Sequence, residues 1–257
     1  MGEPRCHFDV HATIGHRKSM EDFYCVVALN KHITCYLVFD GHGGSEAAEY
    51  ACENLPPLMY EIFNNARNME VIGKGIEKIF LIIDKKMHEK GITGGTTVTG
   101  AIVSSNPDDA YIVLLNLGDS HTMIYDRLEC AIINQTPVHK PNVPEEMLRI
   151  HKSGGVVVND KLDARITVSR ALGDYDFGKI IDDKYVIDAP LLAIPSIDIY
   201  PYYPGALIIR ATDGFWDFFP ERYLSNYINL PAEELVDLCL QYGSHDNITV
   251  LKTILEV

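Results

Sequence analysis

The sequence lacks the features of a membrane, secreted or nucleic-acid-binding protein. No apolar stretch among its 257 residues is long enough to cross a lipid bilayer, and the first residues contain no apolar signal-peptide core. Its 22 lysine and arginine residues are outnumbered by 36 aspartate and glutamate residues, which gives a net charge of −14. We therefore expect no membrane insertion and no nucleic-acid partner.

The cysteines lack the spacing of a metal or redox motif. None of the 6 cysteines belongs to a C-x-x-C pair, so the pattern disfavours a zinc ribbon and a redox dithiol. Cys25 and Cys35 lie in apolar runs, where a free thiol behaves as a small hydrophobe. We expect a reducing compartment, the cytoplasm with the nucleus as the alternative, rather than secretion.

Apolar periodicity predicts a single domain of separate helices and strands, with no internal repeat and no linker. The predicted strands cover 7–14, 22–40, 96–104, 110–117, 121–126, 129–134, 155–158, 165–169, 206–212 and 247–254. The predicted helices begin near Ser45, with an interruption or end at Pro56-Pro57, and cover 69–90, 144–154 and 231–242. Because neighbouring strands are joined by short turns and the helices come in blocks, we predict an α+β fold with antiparallel sheets.

Four aspartates stand beside short apolar runs that are typical of buried strands. Asp40, Asp119 and Asp213 follow such runs, and Asp246 precedes one. If these strands share one sheet edge, the carboxylates collect there and repel each other unless cations lie between them. Oxygen ligands favour Mg²⁺ or Mn²⁺, so the pattern predicts a site for hard divalent ions.

The residues after Asp40 strengthen this interpretation. Asp-Gly alone is also a common hairpin turn, which is the structural alternative for each such pair. The run Gly41-His42-Gly43-Gly44 has more glycine than a hairpin needs. Glycine lets the backbone approach a ligand closely, so the Gly41 carbonyl is a candidate metal ligand. His42 adjoins this site and is a candidate proton donor to a leaving alkoxide.

A second group of candidates lies upstream. Glu21 and Asp22, at the start of a predicted strand, are candidates to hold metal-bound water, although a solvated strand end is the alternative. The planar guanidinium of Arg17 suits a phosphate group, but alone it is only a surface arginine.

Seven motifs in order make the chain resemble the metal-dependent protein serine/threonine phosphatases, the type 2C or PPM family. The motifs are Arg17 with 20–22 (MED), 38–44 (VFDGHGG), 95–97 (GTT), 116–120 (NLGDS), 168–174 (VSRALGD), 212–217 (TDGFWD) and 246–250 (DNITV). The resemblance implies a sandwich of two antiparallel β-sheets flanked by helices, in four layers αββα. It also implies one catalytic domain over 1–257, with a flap-like insertion at about 174–204.

The resemblance further implies a ligand set for two Mg²⁺ or Mn²⁺ ions. Asp40 would bridge both ions, the Gly41 carbonyl would bind one of them, and Asp213 and Asp246 would bind the other. Glu21 and Asp22 would hold metal-bound waters.

A weaker third ion would lie at Asp119 with Asp213 and Asp217. Arg17 would bind the phosphate and His42 would be the general acid, while a water or hydroxide bridging the two ions attacks phosphorus directly. The implied function is hydrolysis of phosphoserine and phosphothreonine in phosphoprotein substrates, as in signalling, by a monomer. We assign no chemistry to 169–174, where a packing role or the start of the flap is equally compatible with the sequence.

The chain departs from the family pattern at three places: His121 stands where arginine is usual, Val138 stands where aspartate is usual, and the segment between 217 and 246 is short. None of these removes an implied metal ligand. Two other functions stay open: a catalytically silent scaffold of the same fold, and a two-metal hydrolase of small phosphate esters.

Overall fold

The computed structural model of the chain describes residues 7–65, 68–181, 184–219 and 221–256. The strands are β1 His7–Thr13, β2 Asp22–Ala28, β3 Ile33–His42, β4 Gly95–Thr96, β5 Val98–Asn106, β6 Asp109–Leu117, β7 His121–Asp126, β8 Ala131–Gln135, β9 Val157–Val158, β10 Lys161–Leu162, β11 Leu172–Gly173, β12 Ile180–Ile181, β13 Lys184–Tyr185, β14 Ser196–Pro201, β15 Leu207–Ala211 and β16 Ile248–Ile254. The helices are α1 Glu46–Asn65, α2 Met69–Glu89, α3 Pro144–Lys152, α4 Asp213–Trp216, α5 Glu221–Tyr227 and α6 Ala232–Gln241.

Two antiparallel sheets form the centre of the fold. One has the order β11-β4-β3-β5-β6-β14, with β2 paired to β3, and the other has the order β1-β16-β15-β7-β8. Their facing surfaces pack through apolar side chains such as Tyr36 and Leu114 from the first sheet and Ile208 and Leu251 from the second. The predicted antiparallel pairing is therefore confirmed.

Helices cover the outer face of each sheet. Alternate side chains of β3 face opposite ways, so Cys35 and Leu37 pack with α1 and α2 while Tyr36 faces the other sheet. On the far side, α6 packs against the second sheet through residues such as Leu235. Burial on both faces explains why β3 is an unbroken apolar run. The result is the predicted four-layer αββα sandwich.

The prediction at Pro56-Pro57 is wrong, because α1 continues through both prolines to Asn65. Proline removes a backbone donor and usually ends a helix. Here the buried face formed by Leu55, Met59 and Phe63 continues beyond the prolines. Packing against the sheet therefore outweighs the missing donors.

Two strand predictions are also corrected. Residues 22–40 are not one strand but the β2–β3 hairpin, and 165–169 form a turn and loop rather than a strand. The prediction missed β14, which pairs with β6 at the edge of the first sheet and lies within the range 174–204 assigned to the flap. None of the described helices is long and apolar enough to span a membrane.

Candidate active site

A cleft of about 690 Å³ lies where strand ends of the two sheets meet. Eight of the ten predicted site residues line it: Arg17, Glu21, Asp40, Gly41, His42, Asp119, Asp213 and Asp246. The two others lie close by. Asp22 is buried and hydrogen-bonded to Thr212 and Thr249, and Asp217 lines a neighbouring pocket that it shares with Asp119.

Strand pairing brings the first two carboxylates together. Asp22 begins β2 and lies directly opposite Asp40 in the register of β2 and β3. The backbone of Asp40 is fixed because its carbonyl accepts hydrogen bonds from Thr97 N at 2.9 Å and Thr96 Oγ1 at 3.1 Å. A side chain at Gly41 would collide with the Glu21 carbonyl, so only glycine fits this close approach.

Asp213 brings a third carboxylate from the other sheet. It begins α4, immediately after β15 and Thr212. The Asp40 and Asp213 side chains both line the cleft and lie close enough for their charges to interact, and two such carboxylates repel each other unless a proton or a cation lies between them. Burial raises the pKa of Asp40 well above its usual range, and the nearby charges of Asp22, Asp213 and Asp119 raise it further.

Asp22 lies beneath this pair. Its Oδ2 accepts hydrogen bonds from Thr249 Oγ1 at 2.8 Å and Thr212 Oγ1 at 3.1 Å. Its buried Oδ1 has no hydrogen-bond partner within the described part of the chain. Burial raises the pKa of Asp22 to about 7, against the opposing effect of the two threonines.

Asp246 lies just before β16, where it faces Arg17. Arg17 Nη2 donates to Asp246 Oδ2 at 2.6 Å, and the backbone N–H of Asn247 donates to Asp246 Oδ1 at 2.8 Å. Both the Arg17 and Asp246 side chains are partly exposed to solvent. This ion pair therefore lies at the open side of the cleft.

Asn247 fixes the segment that carries Glu21. Its Oδ1 accepts from Glu21 N at 2.8 Å, and its Nδ2 donates to the carbonyls of Ile14 and Ser19. The Glu21 carboxylate in turn accepts from Ser19 Oγ and from Gly44 N. Asn247 belongs to the 246–250 motif, but the sequence predicts no role for it. Its role in holding the Glu21 segment follows only from contacts between residues that are far apart in the chain.

A lysine faces the residues predicted for the third ion. Lys140 Nζ lies 3.5 Å from Asp217 Oδ1 and 3.9 Å from Asp119 Oδ2. Burial and the nearby Asp213 charge raise the pKa of Asp119 to about 7, although Lys140 opposes the shift. Lys140 was not among the residues predicted for the site.

His42 is held by an aspartate from the segment left unassigned. The His42 Nε2 and Asp174 Oδ2 atoms are 2.7 Å apart, although 132 residues separate them in the chain. Burial lowers the pKa of His42, but the hydrogen bond and charge of Asp174 outweigh it, so the pKa is raised. A raised pKa favours the protonated ring that a general acid requires.

The donor atoms fit hard divalent cations. All the acidic groups offer oxygen, and one buried Asp22 oxygen has no hydrogen-bond partner among the described residues. The charges of Asp40 and Asp213 raise the cost of holding both carboxylates ionised without a cation. Among the described residues, no three histidine, cysteine or acidic side chains stand as a ready-made metal cluster. Asp246 is engaged by Arg17 and Asp22 by two threonines, so the acidic groups approach one another without forming a closed cage.

His121 and Val138, the two single residues that depart from the family pattern, lie beside this site. The His121 ring stacks on Trp216 with ring centroids 4.0 Å apart, and burial lowers its pKa to about 4, so it is neutral at physiological pH. Val138 lines the same side pocket as Lys140. Both departures therefore alter the surroundings of Asp119 and not the Asp40–Asp213 pair.

Comparison with known families agrees with this geometry. Residues 6–248 match the family model described as protein phosphatase 2C. Human protein phosphatase 1A is 31% identical over 269 aligned residues, which cover 92% of this chain and 67% of that protein. The chain belongs to the protein phosphatase 2C family.

Solved structures share the fold at lower sequence identity. A sex-determining protein of C. elegans superposes with a TM-score of 0.79 at 22% identity. The superposition covers 97% of this chain and 64% of the C. elegans chain. A serine-threonine phosphatase 2C from Toxoplasma gondii gives a TM-score of 0.74 at 20% identity, covering 98% and 96%. These likenesses support the two-sheet architecture.

Proposed function

We propose that this protein hydrolyses phosphoserine and phosphothreonine in phosphoproteins, with Mg²⁺ or Mn²⁺ as the cofactor. The observation that carries the proposal is that Asp40 from β3, Asp213 from the start of α4 and Asp246 from the approach to β16 all line one cleft. Membership of the protein phosphatase 2C family supports it.

The proposed holders of the two ions are residues of this cleft. Asp40 and the Gly41 carbonyl lie at the end of β3, Asp213 begins α4 after β15, and Asp246 lies just before β16. Glu21 and Asp22 would hold water around the ions, and a third, weaker ion would lie at Asp119 with Asp213 and Asp217. When bound, the ions lower the pKa of a water molecule and neutralise phosphoryl oxygens.

The other cleft residues act on the substrate. Arg17, which is free to leave Asp246 at the open side of the cleft, binds the nonbridging phosphate oxygens. Water attacks phosphorus, the bond from phosphorus to the seryl or threonyl oxygen breaks, and His42 gives that oxygen its proton. No cysteine lies among the described residues that line the cleft, so direct attack by water is the fitting route.

We also propose that 1–257 acts as one catalytic domain and as a monomer. Of the range 174–204 assigned to the flap, only the part before β14 is proposed to serve as one, because β14 is a strand of the first sheet. Lys161 and Arg165 also line the cleft. They add positive charge that would attract a phosphoprotein segment.

A metal-dependence assay with two substrates tests the proposal. The protein is incubated with Mn²⁺ or Mg²⁺ and either a phosphothreonine peptide or an aryl phosphate, and a chelator is then added. We expect peptide turnover that the chelator abolishes and that added metal restores. Turnover of the aryl phosphate alone would support a small-ester hydrolase. No turnover on either substrate, with metal demonstrably bound, would support a silent scaffold.

A further inference from the structure

The contact between His42 and Asp174 depends on a missing side chain at Gly95. The His42 side chain is about one third exposed at 34%, whereas that of Asp174 is 9% exposed. A Cβ atom at Gly95 would collide with the Asp174 carboxylate and would stand 2.7 Å from His42 Nε2. The chain therefore leaves space at this position for the two side chains to meet.

Asp174 is held in an unusual backbone conformation. Its φ is +54°, in the left-handed region that non-glycine residues rarely adopt. Its backbone N–H donates to the Gly94 carbonyl at 2.9 Å, and its carbonyl accepts from Phe177 N at 3.2 Å. The backbone thus directs the carboxylate toward His42.

A buried ion pair anchors the segment that carries Asp174. Lys179 Nζ donates to the carbonyls of Ala171 and Gly173, each at 2.7 Å, and lies 3.1 Å from Asp84 Oδ1 on α2. The Gly173 N–H donates to the same Asp84 oxygen at 2.6 Å. Asp84 and Lys179 are almost fully buried, so the turn before and after Asp174 is fixed to the helix.

We propose that Asp174 is a positioning residue for His42: its carboxylate accepts the Nε2–H of the ring and leaves Nδ1 to deliver the proton to the departing serine or threonine oxygen. This inference rests on the proposed function. A carboxylate can only accept hydrogen bonds, so it fixes the nitrogen that carries the shared proton. An amide at position 174 can present either a donor or an acceptor and would leave the tautomer undefined.

A comparison of leaving groups tests this role. A nitrophenolate leaves without needing a proton, whereas a threonine alkoxide requires one. We expect Asp174→Asn to lower kcat on a phosphothreonine peptide by about ten- to a hundredfold, which is less than the roughly 10²–10⁴-fold contribution of a general acid because His42 itself remains. The loss on p-nitrophenyl phosphate should be at least about tenfold smaller, because the acid contributes less there. Asparagine tolerates the left-handed backbone, so the fold should be kept.

Two further variants separate positioning from general damage. Asp176→Asn is the matched control, since Asp176 lies in the same segment and its contact within the described ranges is an exposed ion pair with Arg165. It should leave the ratio of the two kcat values unchanged. If Asp174 acts through His42, the double variant His42→Gln with Asp174→Asn should be no slower than His42→Gln alone.

A measurement that does not depend on turnover completes the test. Nitrogen-15 NMR of the His42 ring should show a protonated, hydrogen-bonded Nε2 in the unaltered protein and a shifted signal in Asp174→Asn. An unmoved ring signal, an equal loss on both substrates or an additive double variant would overturn the role of Asp174. Failure of the unaltered protein on both substrates with bound metal would instead refute the proposed function, and the ring signal would still decide the contact.

Discussion

Arg17 donates from Nη2 to Asp246 Oδ2 at 2.6 Å, although 229 residues separate them in the chain. The pair joins the proposed phosphate binder to a proposed metal ligand. Both side chains are partly exposed, at 58% and 37%, so water screens their attraction and either partner can exchange. We expect a bound cation to take the place of Arg17 at Asp246, which releases the guanidinium for the phosphate.

Replacing Arg17 with alanine should therefore weaken substrate binding without weakening metal binding. We expect the KM for a phosphothreonine peptide to rise about tenfold or more, because a charge-assisted contact to phosphate is lost. The apparent affinity for Mn²⁺ should stay the same or increase, because Asp246 no longer has a competing cation. Steady-state kinetics over a Mn²⁺ series measures both. Weaker metal binding in the variant would contradict this exchange.

Asp213→Asn should remove activity while making the metal-free protein more stable. Burial and neighbouring carboxylates raise the pKa of Asp213 and Asp40 in the folded protein above their values in the unfolded chain. The folded state then holds protons that the unfolded chain releases above about pH 4, so these groups contribute stability at low pH that is lost as the pH rises through their raised pKa.

The measurement for Asp213 is chemical unfolding in chelator between pH 5 and pH 8. We expect the stability of Asp213→Asn relative to the unaltered protein to increase with pH, reaching about 1–3 kcal/mol. Turnover of the phosphopeptide with Mn²⁺ should nearly disappear, and Asp40→Asn should behave likewise. An active variant with an intact fold would refute the proposed ligands.

The strands and the main acidic residues were predictable because they depend on local pattern. Apolar runs such as that of β3 end at Asp40, and the glycines beside it mark a close backbone approach. Two features of the fold could not be predicted from the local sequence pattern. The outcome at Pro56-Pro57 depends on packing against a sheet. β14 is a short edge strand whose terminal Pro201 is also typical of a loop, although Ile197 and Ile199 alternate with polar residues as in a half-exposed strand.

Asp174 and Lys140 were not predicted as site residues for the same reason. Asp174 meets His42 across 132 residues, and Lys140 reaches Asp217 across 77. No spacing rule links such pairs, because strand order and turn geometry bring them together. The one available signal for Asp174 was its place at the end of the unassigned 168–174 motif.

Removing the cation at Lys140 should strengthen the proposed third metal site. Its ammonium group lies between Asp119 and Asp217, where it opposes a metal ion. We expect Lys140→Met to tighten the weakest Mn²⁺ binding event about two- to fivefold in calorimetry, since a partly exposed ion pair of this kind is worth up to about 1 kcal/mol. Asp217→Asn is the matched control and should weaken that event. Weaker binding in Lys140→Met would show that the lysine does not compete with a cation.

The Lys179–Asp84 pair should be essential for stability. Both side chains are buried, and Lys179→Met would leave the Asp84 charge without its ammonium partner. We expect a loss of about 3–5 kcal/mol in the free energy of unfolding. The double variant with Asp84→Asn should recover part of it, because the uncompensated charge is gone. Denaturant unfolding of the three proteins measures this, and a loss below about 1 kcal/mol would contradict the anchoring role.

The most direct test is anomalous diffraction from crystals of the protein grown with Mn²⁺. We expect two strong manganese peaks inside the cleft, with Asp40 contacting both and Asp213 and Asp246 contacting one. Peaks only outside the cleft, or a cleft that stays without manganese while the same preparation hydrolyses the phosphopeptide, would contradict it.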